Sequence, residues 1–205
     1  MDASWLAATT AFAVAMAATP GPNNALVTAA GATWGFRKTL PLMAGIGIGV
    51  AGAMLVVALA GTAFVADPRV QGVVRFAGLA YLLYLAWRIA TATPRVPSAV
   101  EESGERDDAR PPRLLAGVLF QVVNPKLWAM AAGAVATYGT AANLDPLALG
   151  SVFALVFGAA TLASVAAWTL VGIGVARAIR TERGIRWFNR AMAALLVASL
   201  VPLFS

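Results

Sequence analysis

LPLMAGIGIGVAGAMLVVALAGTAFVA, residues 40–66, runs for 27 positions without a charged side chain. A helix rises about 1.5 Å per residue, so roughly 20 residues cross the ~30 Å hydrocarbon layer of a bilayer. This stretch is long enough and apolar enough to do so. Working outward from it, comparable runs occur at 3–30, 70–92, 114–138, 147–175 and 187–204. The chain of 205 residues is 60% hydrophobic and 12% charged, more apolar than one soluble core of this length can hide. The bilayer must act as solvent, and the fold class predicted is an all-α membrane protein of six transmembrane helices.

Cysteine and histidine are both absent. Disulfides, thiol chemistry, ordinary zinc or copper sites and imidazole catalysis are therefore excluded, and no cofactor, metal or catalytic residue is expected. The net charge of +6 comes from basic residues in short runs between apolar segments, which reads as topology and not as nucleic-acid binding. The first run, Trp5 to Ala18, has the length of a signal peptide. Met1-Asp2-Ala3-Ser4 lacks the basic residue a signal needs, so the segment is expected to be retained.

Cytoplasmic connections are enriched in Lys and Arg. The odd-numbered connections hold Arg37, Lys38, Arg88, Arg95, Arg106, Arg110, Arg113, Arg177, Arg180, Arg183, Arg186 and Arg190, twelve of the fifteen basic residues. Only Arg69 and Arg75 fall on the other side, and Lys126 lies within a span. Both termini are thus predicted outside the cytoplasm. Residues 93–112 carry prolines and mixed charge (Pro94, Pro97, Glu101, Glu102, Glu105, Asp107, Asp108) and read as a flexible cytoplasmic linker. This linker divides the single domain, 1–205, into three-helix halves at 1–92 and 113–205. An odd number of crossings per half makes the halves inverted-topology repeats, each with a proline break in its first helix.

The breaks carry the chemistry. Free backbone groups cost several kcal/mol in hydrocarbon, so an interrupted helix survives only where protein or water satisfies it. Pro20-Gly21-Pro22-Asn23-Asn24 supplies two residues without N–H donors, one flexible residue and two amides. A half-helix starting near Ala25 would aim free N–H groups at an anion such as a carboxylate; alternatively the motif is a kink with the asparagines as caps. Asn124-Pro125-Lys126 adds a cation inside a span, where it costs about 2.5–3.5 kcal/mol unless it finds water, a partner or an interface to which it can snorkel. Gln121 either lines the same cavity or bonds a neighbouring helix. Tyr81 and Tyr84 share a helix face and either meet substrate or pack. Trp128 follows the second break closely enough to line a cavity, Trp168 reads as core, and Trp5, Trp34, Trp87 and Trp187 read as interface anchors.

Pro20-Gly21-Pro22-Asn23, followed by Gly31, Gly35, Arg37, Gly45 and Gly49, resembles the opening signature of the LysE/RhtB amino-acid exporters. The likeness continues through Gly78-Leu79-Ala80-Tyr81-Leu82-Leu83-Tyr84-Leu85, Gly117, Asn124-Pro125-Lys126 and Arg186 to Arg190 with Asn189, nearly the whole chain. It implies a secondary active exporter of amino acids or related metabolites in the bacterial inner membrane, with both proline motifs near the transport path. Physically, Gly31 and Gly35, and Gly45 and Gly49, are four apart and leave flat faces for helix packing.

No carboxylate falls at the centre of a span, so proton coupling through Asp or Glu is weakly supported, with Lys126 or Asp67 as the fallback. One lysine among amides suits a carboxylate and offers no counter-charge to a cationic side chain, so neutral or acidic amino acids are expected as substrates. Competing readings are an ion or metabolite permease of similar topology, a membrane enzyme, for which nucleophiles and bases are lacking, and a scaffold without transport. Lipids are the other expected partners, and the small-residue faces permit a homodimer.

Overall fold

A computed structural model describes residues 2–61, 67–91, 113–179 and 181–198. The linker expected at 93–112 lies wholly outside the described residues. Among the described residues all regular structure is helical. The elements are α1 (Ala3–Ala18), α2 (Pro22–Ala60), α3 (Pro68–Ala90), α4 (Leu114–Val122), α5 (Pro125–Tyr138), a 3-10 turn (Thr140–Ala142), α6 (Pro146–Ala178) and α7 (Glu182–Ala198). Proline occupies the first position of α2, α3, α5 and α6, where its missing N–H removes no helical bond. Asp67 and Asp145 cap α3 and α6: Asp67 Oδ1 accepts from Arg69 N at 2.7 Å, and Asp145 Oδ1 from Leu147 N and Ala148 N at 3.0 Å. Both acids are exposed, so Asp67 is a helix cap and not a buried titratable group.

The sequence suggested a connection around Arg37 and Lys38. Instead the helix resumes at once after a corner at Gly35, whose φ of 75° and ψ of 175° lie in a region glycine alone adopts without strain. The packing partners on α6 show what the corner does. In the arm 22–34, Asn24 meets Ser164 and Thr28 meets Trp168. In the arm 36–60 the order reverses: Met43 meets Thr169, Gly47 meets Leu162, Ala51 meets Gly158 and Leu55 meets Gly150. The two arms therefore run in opposite directions along α6. Gly35 thus serves the backbone; no atom lies near the position of its missing Cβ, and its expected packing role is not what it does.

The other three signature glycines do mark close packing. A Cβ on Gly45 would overlap Leu114 O of α4, one on Gly49 would sit 2.6 Å from Gln121 Cγ, and one on Gly31 would sit 2.5 Å from Thr169 O. Gly117 returns the contact from α4, 2.5 Å from Leu42 O, and Gly172 does so from α6 against Thr28 O. Lipid supplies no hydrophobic drive between helices, so such backbone-to-backbone approach, with its dispersion gain, holds the bundle together.

The polarity of the molecule is inside out. Leu155, Phe76, Leu115, Leu147, Leu119 and Ile48 are exposed, while Asn24, Thr28, Gln121, Asn124, Thr161 and Thr169 are buried. That distribution suits an apolar solvent. Pro22–Ala60 and Pro146–Ala178 are each long and apolar enough to cross a membrane, and Leu114–Val122 with Pro125–Tyr138 is so as a pair bent by 65°. The main core cluster is built from α1, the arm 36–60, α5 and α6. Trp5, expected at the interface, is 7% exposed and stacks on Phe153 with centroids 6.0 Å apart. Its indole N–H donates to Tyr138 O at 2.9 Å, the partner a buried indole requires. Trp87 and Trp187 are outward-facing, at 60% and 62% exposure, and Trp168 packs half-buried against the cluster of Val27, Ala30 and Ile46.

Candidate functional site

Two helix interruptions meet at one place. The first separates α1 from α2 at residues 19–21, and α2 begins at Pro22 rather than near Ala25. Its cap residue, Gly21, is extended and has no side chain to offer the first-turn N–H groups. The second separates α4 from α5 at Val123 and Asn124, and α5 likewise starts on a proline without a side-chain cap. The positive ends of two helix dipoles are thereby left without a protein acceptor from their cap residues.

The negative end of α1 is heavily satisfied. Asn24 Nδ2 donates to Ala17 O at 2.9 Å and Thr19 O at 3.0 Å, Ser164 Oγ donates to Ala17 O at 2.7 Å, and Lys126 Nζ donates to Thr19 O at 2.8 Å. A cation on the C-terminal carbonyls of a helix is electrostatically favoured. The stem of Lys126 crosses Gly21 so closely that a Cβ there would lie 3.0 Å from Cδ and Nζ. No carboxylate among the described residues pairs with this half-buried lysine.

Beside it lies a ring of three amides that joins the two motifs. Gln121 Nε2 donates to Asn23 Oδ1 at 2.9 Å, and Asn23 Nδ2 returns a bond to Gln121 Oε1 at 3.2 Å. Asn124 Nδ2 donates to both acceptors, at 3.3 and 3.1 Å. Gln121 and Asn124 are each 2% exposed. Residues about 100 positions apart in sequence are thus cross-linked inside the bundle, where a hydrogen bond of this kind contributes roughly 0.5–2 kcal/mol.

Gly21, Pro22, Asn23, Asn24, Asn124 and Lys126 line a small cavity together with Met16, Val50, Leu127 and Thr161. Its volume of about 30 Å³ holds about one or two waters and no amino acid, so the site is closed in this conformation. Gln121 joins through the amide ring, Pro125 starts the second half-helix, and Pro20 sits in the first break. The aromatic candidates lie elsewhere. Tyr81 and Tyr84 are exposed on α3, Tyr81 against Phe120 (5.5 Å) and Tyr84 against Trp87 (6.3 Å). Trp128 turns back to donate its indole N–H to Val122 O at 2.9 Å, a carbonyl left by the end of α4. Sequence reasoning missed Thr28, Ser164 and Thr161, hydroxyl residues that give no signal within an apolar helix. Thr28 Oγ bonds Asn24 O at 2.6 Å and Trp168 O at 3.1 Å, holding the asparagine's helix against α6.

Helices interrupted around a buried, charged and amide-lined cavity, in a bundle with an apolar exterior, define a membrane transport protein as a class. The family model for LysE type translocators matches residues 14–202, and the chain belongs to that family. It is similar to the cysteine/O-acetylserine efflux protein of Salmonella choleraesuis (strain SC-B67), 35% identical over 196 residues that cover 92% of this chain and 91% of that protein. The protein of the same description from Escherichia coli (strain K12) is 31% identical over 207 residues, covering both chains fully. No solved structure matches.

Proposed function

We propose that the chain is a secondary active exporter of small, neutral α-amino acids, binding the substrate carboxylate at Lys126 and the two uncapped helix ends. The observation that carries this reading is the cationic head of Lys126, held between α1 and α5 with no counter-ion among the described residues. An ammonium has three donors; one is on Thr19 O, and an incoming carboxylate satisfies the others. The first-turn N–H groups of Asn23, Asn24 and Lys126, which follow Pro22 and Pro125, add donors of the same sign. Relatives described as exporting cysteine and O-acetylserine fit a site of this charge.

Six crossings and an inverted repeat fit the packing. α1 runs with α6, since Trp5 meets Phe153, Phe12 meets Phe157 and Ala17 meets Ser164. The arm 22–34 continues that direction and the arm 36–60 reverses it. α4 runs with the arm 36–60, as Leu114 and Gln121 meet Gly45 and Gly49 in order. The two broken spans are then antiparallel, and the central pair, arm 36–60 with α6, is antiparallel as a two-fold axis in the membrane plane demands. Counting α1 with 22–34, then 36–60, α3, α4 with α5, α6 and α7 gives six spans, with the termini outside the cytoplasm by the distribution of Lys and Arg.

Liposomes loaded with labelled neutral, acidic and basic amino acids test this reading, with and without an imposed pH gradient. Efflux of cysteine-sized neutral amino acids with arginine retained is expected. Robust arginine export overturns the assignment of Lys126 as the carboxylate partner.

A further inference from the structure

The amide ring has a fixed sense. Asn23 Oδ1 and Gln121 Oε1 each accept two bonds, and all three side-chain Nδ2 and Nε2 groups donate into the ring or to Gly117 O. Turning the Asn124 amide over would set its oxygen against two other acceptors. The orientation is therefore dictated by its neighbours, and it leaves Asn124 Oδ1 as a buried acceptor without a hydrogen-bond partner. A buried polar atom without a partner is costly, and the other two amides of the ring have no polar atom unpaired. Asn124 lines the same cavity as Lys126, two positions away on the first turn of α5.

We infer that Asn124 Oδ1 is the acceptor for the substrate's ammonium group, so that Asn124 and Lys126 together read both charged ends of an α-amino acid. This deepens the carboxylate reading above and rests on it. An ammonium suits the position on three grounds. It is a donor without acceptor capacity, matching an oxygen that cannot donate. Its charge is offset by the bound carboxylate and by the carbonyl end of α1. A ligand carrying a carboxylate alone would satisfy Lys126 but leave Asn124 Oδ1 unpaired, and a site built to hydrogen-bond a substrate group discriminates strongly against the analogue lacking it. Gln121 and Asn23 are positioning residues, holding the amide in the accepting sense.

The test is competition against labelled cysteine efflux from proteoliposomes holding the full chain. Unlabelled cysteine, 3-mercaptopropionate (the same molecule without its amino group) and cysteamine (without its carboxylate) are the competitors. In the wild type 3-mercaptopropionate is expected to compete about 10- to 100-fold more weakly than cysteine. Equal competition overturns the inference while leaving the carboxylate reading intact. Competition by cysteamine equal to that of cysteine, with 3-mercaptopropionate inert, overturns the carboxylate reading instead. Asn124→Ala is expected to lower cysteine to the level of 3-mercaptopropionate, and discrimination that survives in folded Asn124→Ala overturns the role of this residue.

Discussion

Gly21 leaves space that Lys126 fills. A methyl group there would press on the far end of a flexible side chain, and the extended backbone, with φ of −173°, is open to any residue. Gly21→Ala is therefore expected to fold with a melting temperature close to wild type while moving the ammonium off Thr19 O, and to slow efflux roughly tenfold, as a displacement of this size costs at a positioned group. Loss of folding with transport intact in the remaining folded fraction would contradict this. Asn23, Asn24, Gln121, Asn124 and Lys126, which meet at the cavity and its amide ring, were legible as candidates because Asn, Gln and Lys are few in apolar spans and must be satisfied there. Tyr81, Tyr84 and Trp128 were not, because an aromatic ring in a membrane helix can pack, face lipid or bond a backbone carbonyl with equal ease. Trp5 was misplaced for the same reason: its closeness to the chain start suggested an interface, whereas Phe153 and Tyr138 O, distant in sequence, supply its stack and its acceptor.

At the level of the helix, glycines divide into those that permit contact and those that permit a corner. Gly45→Val forces α2 away from Leu114 O and is expected to destabilise by about 1–3 kcal/mol, as overpacking does. Gly35→Ala strains the backbone by a similar ~1–3 kcal/mol without any steric clash. Gly52, with open space at its Cβ position, is the control: Gly52→Ala is expected to gain roughly 0.5–1 kcal/mol. Thermal unfolding in detergent ranks the three, and equal destabilisation by Gly45→Val and Gly52→Ala would refute the packing account. The apolar runs predicted the positions of α3, of α4 with α5, and of α6 well, because length and hydropathy are local properties. They failed at residues 31–39, where Arg37 and Lys38 suggested a loop but one glycine suffices to reverse the chain. A reversal by a single positive φ leaves no stretch of loop composition to read.

Over the whole molecule, topology rests on charge counts and on the order of contacts along α6. The natural absence of cysteine makes it testable without background labelling. Single cysteines at Lys38, Arg113 and Thr181 are expected to be shielded from a membrane-impermeant thiol reagent added to intact cells, and cysteines at Asp67 and Asn143 to be labelled. The reverse pattern would invert the orientation, and labelling of Lys38 together with Asn143 would break the six-span arrangement. The meeting of the two breaks was foreseen from their equivalent places in the two halves. The ring that unites them was not, since pairing Asn23 with Gln121 requires knowing how α2 lies against α4. Whether the half-buried Lys126 serves the substrate carboxylate is read from efflux of labelled cysteine from liposomes by wild type, Lys126→Ala and Lys126→Arg. Lys126→Ala, shown folded by its elution and melting temperature, is expected to lose efflux by about tenfold or more while Lys126→Arg retains part of it. Wild-type efflux rates in folded Lys126→Ala would contradict it.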